Sequence, residues 1–63
     1  MCEAHVYIRK GGKDELLLES VDKVVPVDGE LHLENIFGQR KIVKGKIIEM
    51  VLVEHKIVLE KEE

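Results

Sequence analysis

One sulfur stands at the second position of the chain, in Met1-Cys2-Glu3-Ala4. A terminal amine, a main-chain amide nitrogen and a thiolate on neighbouring residues can close adjacent five-membered chelate rings on a single metal ion. With Met1 retained, the donors are the Met1 amine, the Cys2 amide nitrogen and Cys2 Sγ. With Met1 removed, they are the Cys2 amine and sulfur and the Glu3 amide nitrogen. A planar array of nitrogen and sulfur donors suits Ni(II) or Cu(II), whereas Zn(II) takes a tetrahedron. The thiolate must form before it binds, so affinity falls in acid. Cys2 also has a plainer reading. It falls on the same face as Ala4 and Val6, and a free cysteine is often just a small buried apolar residue. It is the only cysteine, so an intrachain disulfide is impossible and one chain offers one thiolate. A symmetric dimer with its termini at the axis would bring two copies together.

The remaining candidates are weaker. His5, His32 and His55 stand at no zinc-type interval from one another or from Cys2. His5 is three residues from Cys2, which in a strand places it on the opposite face. All three read as surface histidines, with His55 in a turn. The basic stretch Arg40, Lys41, Lys44 and Lys46 could track phosphates along one edge. No aromatic residue is interleaved with it, and lysines on an edge strand also serve to block unwanted pairing. Ser20 is the only serine, and no Ser or Cys has a His and an acid at a recognisable spacing. The glycines match no phosphate-cradling pattern and read as turns. The sequence therefore points away from an enzyme.

The elements that must hold these residues are strands. Cys2, Ala4, Val6 and Ile8 alternate with Glu3, His5, Tyr7 and Arg9, which is the period of a half-buried strand. Lys10-Gly11-Gly12-Lys13-Asp14 is a turn. Leu16–Leu18 makes a short apolar strand and Val21–Val27 another, with Pro26 marking an edge or an irregularity. Asp28-Gly29 between two strand patterns predicts a tight hairpin of the mirror-image type. Leu31 and Leu33 then point inward, with Glu30, His32 and Glu34 outward. Phe37-Gly38-Gln39 turns the chain. Strands are expected at 41–44, 46–53 and 57–60, with Gly45 breaking or bending the first of these and a turn at 54–56. The 46–53 segment is apolar on both faces and needs cover on both sides. A second copy of the chain is a natural second cover. The expectation is a single domain over residues 1–63, an all-β, small antiparallel barrel of SH3-like or Sm-like type with about six or seven short strands.

Composition narrows the function. The 63 residues include 10 Lys plus Arg against 13 Asp plus Glu, for a net charge of −3. Aromatic residues are 3%, namely Tyr7 and Phe37. A single-strand nucleic-acid groove uses basic charge and stacking rings, and both are scarce. A core this small supplies only about 3–5 kcal/mol, so a metal or a second subunit is expected to add to it. No secretory signal pattern and no apolar run of membrane-spanning length is present. A lone thiol fits a reducing compartment, and the expected location is the cytoplasm.

The Met1-Cys2-Glu3-Ala4 start, Asn35-Ile36-Phe37-Gly38 ahead of Gly45-Lys46-Ile47-Ile48-Glu49, and the closing His55-Lys56-Ile57-Val58-Leu59-Glu60 together resemble the CooT family of small nickel-binding proteins. The resemblance covers essentially the whole chain, and its functional motif is the Met-Cys start. It implies a homodimeric β-protein that supplies nickel to carbon monoxide dehydrogenase, with Cys2 as the critical ligand. Relatives have also been labelled RNA-binding because of their fold. The sequence thus predicts a metallochaperone holding Ni(II) through Cys2, with an RNA-binding module on Arg40, Lys41, Lys44 and Lys46 as the alternative.

Overall fold

The computed structural model describes residues 3–61. Five strands follow in order: β1 (Ala4–Lys10), β2 (Lys13–Val27), β3 (Glu30–Asn35), β4 (Arg40–Val51) and β5 (Lys56–Lys61). A 3-10 turn, Leu52–Glu54, joins the last two. Each strand pairs antiparallel with the next. β5 then pairs with β1 and closes the ring. That final pair is parallel. A closed up-and-down ring with an odd number of strands must contain one parallel neighbour pair, and here it falls at the join of chain start and chain end.

The all-β barrel agrees with the sequence, but the strands number five rather than six or seven. The expected strands at 16–18 and 21–27 are two halves of β2. Those at 41–44 and 46–53 are two parts of β4, whose strand ends at Val51, so residues 52 and 53 belong to the 3-10 turn. In each case an irregularity that looked like a break is a bend at which one continuous strand passes from one partner to the next, β2 from β1 to β3 at Val21 and β4 from β3 to β5 at Gly45. In β2, Ala4 pairs with Val21 and Val6 with Leu18, so extra residues are accommodated beside Ser20, whose φ is 57°. β4 carries a register shift between Ile47 and Glu49. Bulges bend a strand and raise its twist, which is how a short sheet closes on itself. Gly45 is not a break either. A Cβ there would strike the main-chain carbonyl of Glu60 and lie 3.2 Å from the Lys61 Cα. Glycine lets β4 and β5 come together at that bend.

Both tight hairpins have two-residue loops with positive φ throughout. Gly11 and Gly12 have φ 55° and 82°, and Asp28 and Gly29 have φ 48° and 80°. These are mirror-image turns whose twist matches that of the flanking strands.

The alternating pattern sets the inside of the ring. Val6 and Ile8 of β1, Leu18 and Val21 of β2, Leu31 and Leu33 of β3, Val43 of β4 and Leu59 of β5 form one buried cluster. Val6, Leu33, Val58 and Leu59 are fully enclosed. The core contains no aromatic side chain. Met50, Leu52 and Val53 lie outside it, 54%, 74% and 87% exposed. The region expected to be apolar on both faces is therefore covered on only one.

Candidate functional site at the head of the first strand

Cys2, the predicted metal ligand, lies outside the described residues. The residues that follow it are well placed. The His5 N–H donates to the His55 carbonyl at 2.8 Å, and β1 then runs beside β5 from the His5–Lys56 pair onward. His55 has φ 52° and ψ 47°, a left-handed conformation that ends the 3-10 turn. That reversal aims its carbonyl at the head of β1. His5 Nδ1 accepts a hydrogen bond from the Ser20 N–H at 3.2 Å. An accepting Nδ1 carries no proton, so the ring is the Nε2–H tautomer. Its Nδ1 lone pair is thereby committed to the β2 bend and not free for a metal. The start of the barrel is thus pinned on one side by the 3-10 turn and on the other by the bulge of β2.

Glu3 and Ala4 open onto a groove of about 410 Å³. Its floor is apolar, from Val21, Val24, Met50 and Ile57, and Asp22 and His55 stand at its margin. Among the described residues no group of three or more His, Cys, Asp or Glu side chains could hold a metal ion. A complete site at this end would need the Cys2 thiolate and the backbone nitrogens around it. One peptide link separates Cys2 from Glu3, which lines the groove.

The other two histidines are placed differently, His55 beside this groove and His32 away from it. His55 is exposed, at the end of a turn as expected. His32 differs from a simple surface residue. It lies between Val25 and Ile42 across the β2–β3–β4 sheet. Its Nε2 is shielded from solvent without a hydrogen-bond partner. The nearest carboxylate oxygen, Glu30 Oε1, is 3.5 Å away.

The basic stretch does not form a continuous cationic edge. Arg40 pairs with Glu34, Nε to Oε2, at 3.0 Å. Lys44 stands opposite Glu30 and Lys46 opposite Glu60. Lys41 falls in the other register, opposite Leu33. Three of the four cations therefore face a carboxylate across the ladder. This arrangement stabilises strand pairing and weakens a phosphate track.

Two features were missed in the sequence. The first is an ionic network on the outer face. Arg9 donates to Asp14 at 2.7 and 3.2 Å and to Glu49 at 3.1 Å. Lys56 reaches Asp14 at 3.3 Å and lies 5.1 Å over the Tyr7 ring. The bidentate Arg9 bond, with Lys56 beyond it, holds the Asp14 carboxyl below its ordinary value of 3.8. The same bonds raise the Arg9 pKa further. The second is Asn35, 2% exposed and the only buried polar residue among those described. Its Oδ1 accepts from the Phe37 and Gln39 N–H groups at 3.0 and 2.9 Å. Its Nδ2 donates to Gln39 Oε1 at 2.7 Å and to the Glu19 carbonyl at 3.3 Å. The Asn-x-x-Gly spacing of a side-chain-closed turn was the available signal.

These features define a small closed β-barrel with an apolar groove at the head of its first strand and no helix, among the described residues, long and apolar enough to cross a membrane. The chain belongs to the CooT family. The family profile, CO dehydrogenase accessory protein CooT, matches residues 1–60, a span that includes Cys2. The crystal structure of putative CooT from Carboxydothermus hydrogenoformans is similar to this chain at 55% identity and a TM-score of 0.92, covering 98% of this chain and 100% of that one. No curated protein matches. The family's role is accessory to CO dehydrogenase, so the chain is not itself the enzyme.

Proposed function

We propose that this protein is a nickel metallochaperone, a cytoplasmic homodimer that holds Ni(II) through the Cys2 thiolate and passes it to CO dehydrogenase. The observation that carries this reading is the family match, which extends through Cys2 to the start of the chain and assigns an accessory role to CO dehydrogenase. The geometry supports it in two ways. The bonds at His5 pin the head of β1, so a ligand just ahead of it has a fixed base. The Cys2 thiolate and its neighbouring backbone nitrogens make a donor set suited to Ni(II). A ligand ahead of the first strand can exchange without unfolding the barrel, which suits handing an ion on. Exposed Met50, Leu52 and Val53 give a second copy an apolar surface to cover.

Purified protein is expected to bind Ni(II) at no more than one ion per subunit, with a thiolate-to-metal absorption band. Cys2→Ser should remove that band and the binding. Unchanged nickel binding by Cys2→Ser refutes the reading.

A further inference from the structure

Phe37 is the chain's only phenylalanine, and it is 70% exposed at the tip of the β3–β4 loop beside Ile36, which is 40% exposed. An exposed ring on a mobile loop would mean little. This loop is not built that way. Asn35 uses all of its side-chain hydrogen-bonding groups to fix the turn. Main-chain bonds from Ile36 to Ser20 at 3.0 Å, from Asn35 to Gln39 at 3.0 Å and from Gly38 to Asn35 at 3.1 Å close it further. None of these bonds needs an aromatic side chain at position 37. The fold places its one phenylalanine outside the core, on a turn whose main chain is held still.

The ground beside the loop is cationic and partly apolar. Lys23, Glu34 and Arg40 lie side by side across β2, β3 and β4, and Val25, His32 and Ile42 form the next row. These six residues line a shallow groove of about 430 Å³. Arg40 is bonded to Glu34 through Nε alone and is 79% exposed, so its terminal nitrogens face outward. Lys23 and Arg40 thus flank Glu34 across the ladder, with Lys41 also lining the groove, next to the fixed turn that carries Phe37. Rigid aromatic residues and arginines are the side chains that most often carry binding energy at protein interfaces, because little entropy is lost when they are immobilised.

We propose that the Ile36–Phe37 loop and the adjoining Lys23–Arg40 row form a docking surface for a protein partner, with Phe37 entering an apolar socket rimmed by carboxylates. Resting on the accessory role stated above, the partner is CO dehydrogenase. A protein socket fits better than nucleic acid. The aliphatic side chains of Ile36, Val25 and Ile42 accompany the ring, and Glu34 and Glu30 interrupt the cations and would repel a phosphate backbone.

The test uses nickel-free CO dehydrogenase from the same source as the probe, with binding followed by calorimetry or interferometry at fixed salt. Phe37→Ala should weaken binding about tenfold or more, and Arg40→Glu should weaken it in the same direction. Both variants should keep the wild-type nickel stoichiometry, and Phe37→Ala should keep the melting profile as well, whereas Arg40→Glu sets a carboxylate opposite Glu34 and should melt lower; a loss of docking in Phe37→Ala is therefore separable from a failure of the nickel reading. Leu16→Ala, an exposed apolar change on β2, should leave binding unchanged. The proposal is overturned if the wild-type chain does not bind the enzyme or if Phe37→Ala binds as tightly as wild type. It is also overturned if the Phe37-dependent ligand is a single-stranded RNA oligonucleotide.

Discussion

Replacing Asn35 with Ala removes four hydrogen bonds from a site that is 2% exposed. Two main-chain donors, at Phe37 and Gln39, lose their acceptor. Gln39 Oε1 and the Glu19 carbonyl lose a donor. At about 0.5–1.5 kcal/mol net per bond the loss would be about 2–6 kcal/mol. Phe37 and Gln39 are exposed, so water can serve part of the vacated loop, which favours the lower half, about 2–4 kcal/mol. A domain of this size has only about 3–5 kcal/mol from its core, so the variant should sit near the edge of folding. Urea denaturation followed by far-ultraviolet circular dichroism, at one fixed protein concentration, reads the effect directly. With a slope of about 1 kcal/mol/M the midpoint should fall by about 2–4 M. Asn35→Asp keeps the two accepted bonds but buries a carboxylate against Gln39 Oε1 and the Glu19 carbonyl, so its midpoint should fall as well. A midpoint for Asn35→Ala within a few tenths of a molar of wild type would show that the loop holds its shape without Asn35. That would also remove the rigidity on which the Phe37 surface depends.

The Asp14 carboxyl, held low chiefly by Arg9 and then by Lys56, stabilises the fold fully above its ordinary value of 3.8, and that contribution is lost as pH falls through its lower folded value. Melting temperatures across an acid series should therefore drop less steeply for Asp14→Asn than for wild type below about pH 4, and parallel curves would refute the coupling. Gly45→Ala places a methyl group against the Glu60 carbonyl, and main chain cannot swing aside as a side chain can. The cost should reach at least the upper part of the range of about 1–3 kcal/mol for overpacking, and an unchanged urea midpoint would mean that β4 and β5 separate freely there. Leu52→Glu with Val53→Glu puts charge on the two most exposed apolar side chains among those described. If the wild-type chain is the proposed dimer, sedimentation equilibrium should show this variant as a monomer, and an intact dimer would place the interface elsewhere.

Alternation was the legible part of this sequence. It placed β1 and β3 in phase, with Val6, Ile8, Leu31 and Leu33 inside, because period two survives any detail of pairing. The Asp28-Gly29 hairpin was equally plain, since few residue pairs accept two positive φ values. Strand count was not legible. Ser20 and Gly45 look like ends when the chain is read locally, yet each is a bend whose continuation depends on a neighbouring strand far away in sequence. Ser20 takes a left-handed conformation because its N–H meets His5 and its carbonyl meets Ile36. Gly45 is explained by Glu60. The pairing of the basic stretch was hidden for the same reason: Arg40, Lys44 and Lys46 appear clustered along one strand, and the carboxylates opposite them arrive from β3 and β5. At the candidate site, Cys2 was singled out by residue type and position alone. The bonds that brace the following residues join positions 5, 20 and 55, and no local pattern reveals such a triangle.

That triangle bears on why a chaperone would place its ligand ahead of β1. The β1–β5 pair is parallel and cannot form as a hairpin, so it must wait until the intervening strands have brought the two ends together. The His5–His55 bond belongs to that late closure. On the proposed function, Cys2 stands three residues ahead of a base that is fixed only in the completed ring. Seen this way, the closing strand does two things at once. It removes the exposed sheet edges of a very small barrel, and on the proposed function it supplies the fixed footing from which Cys2 would take up an ion and give it away.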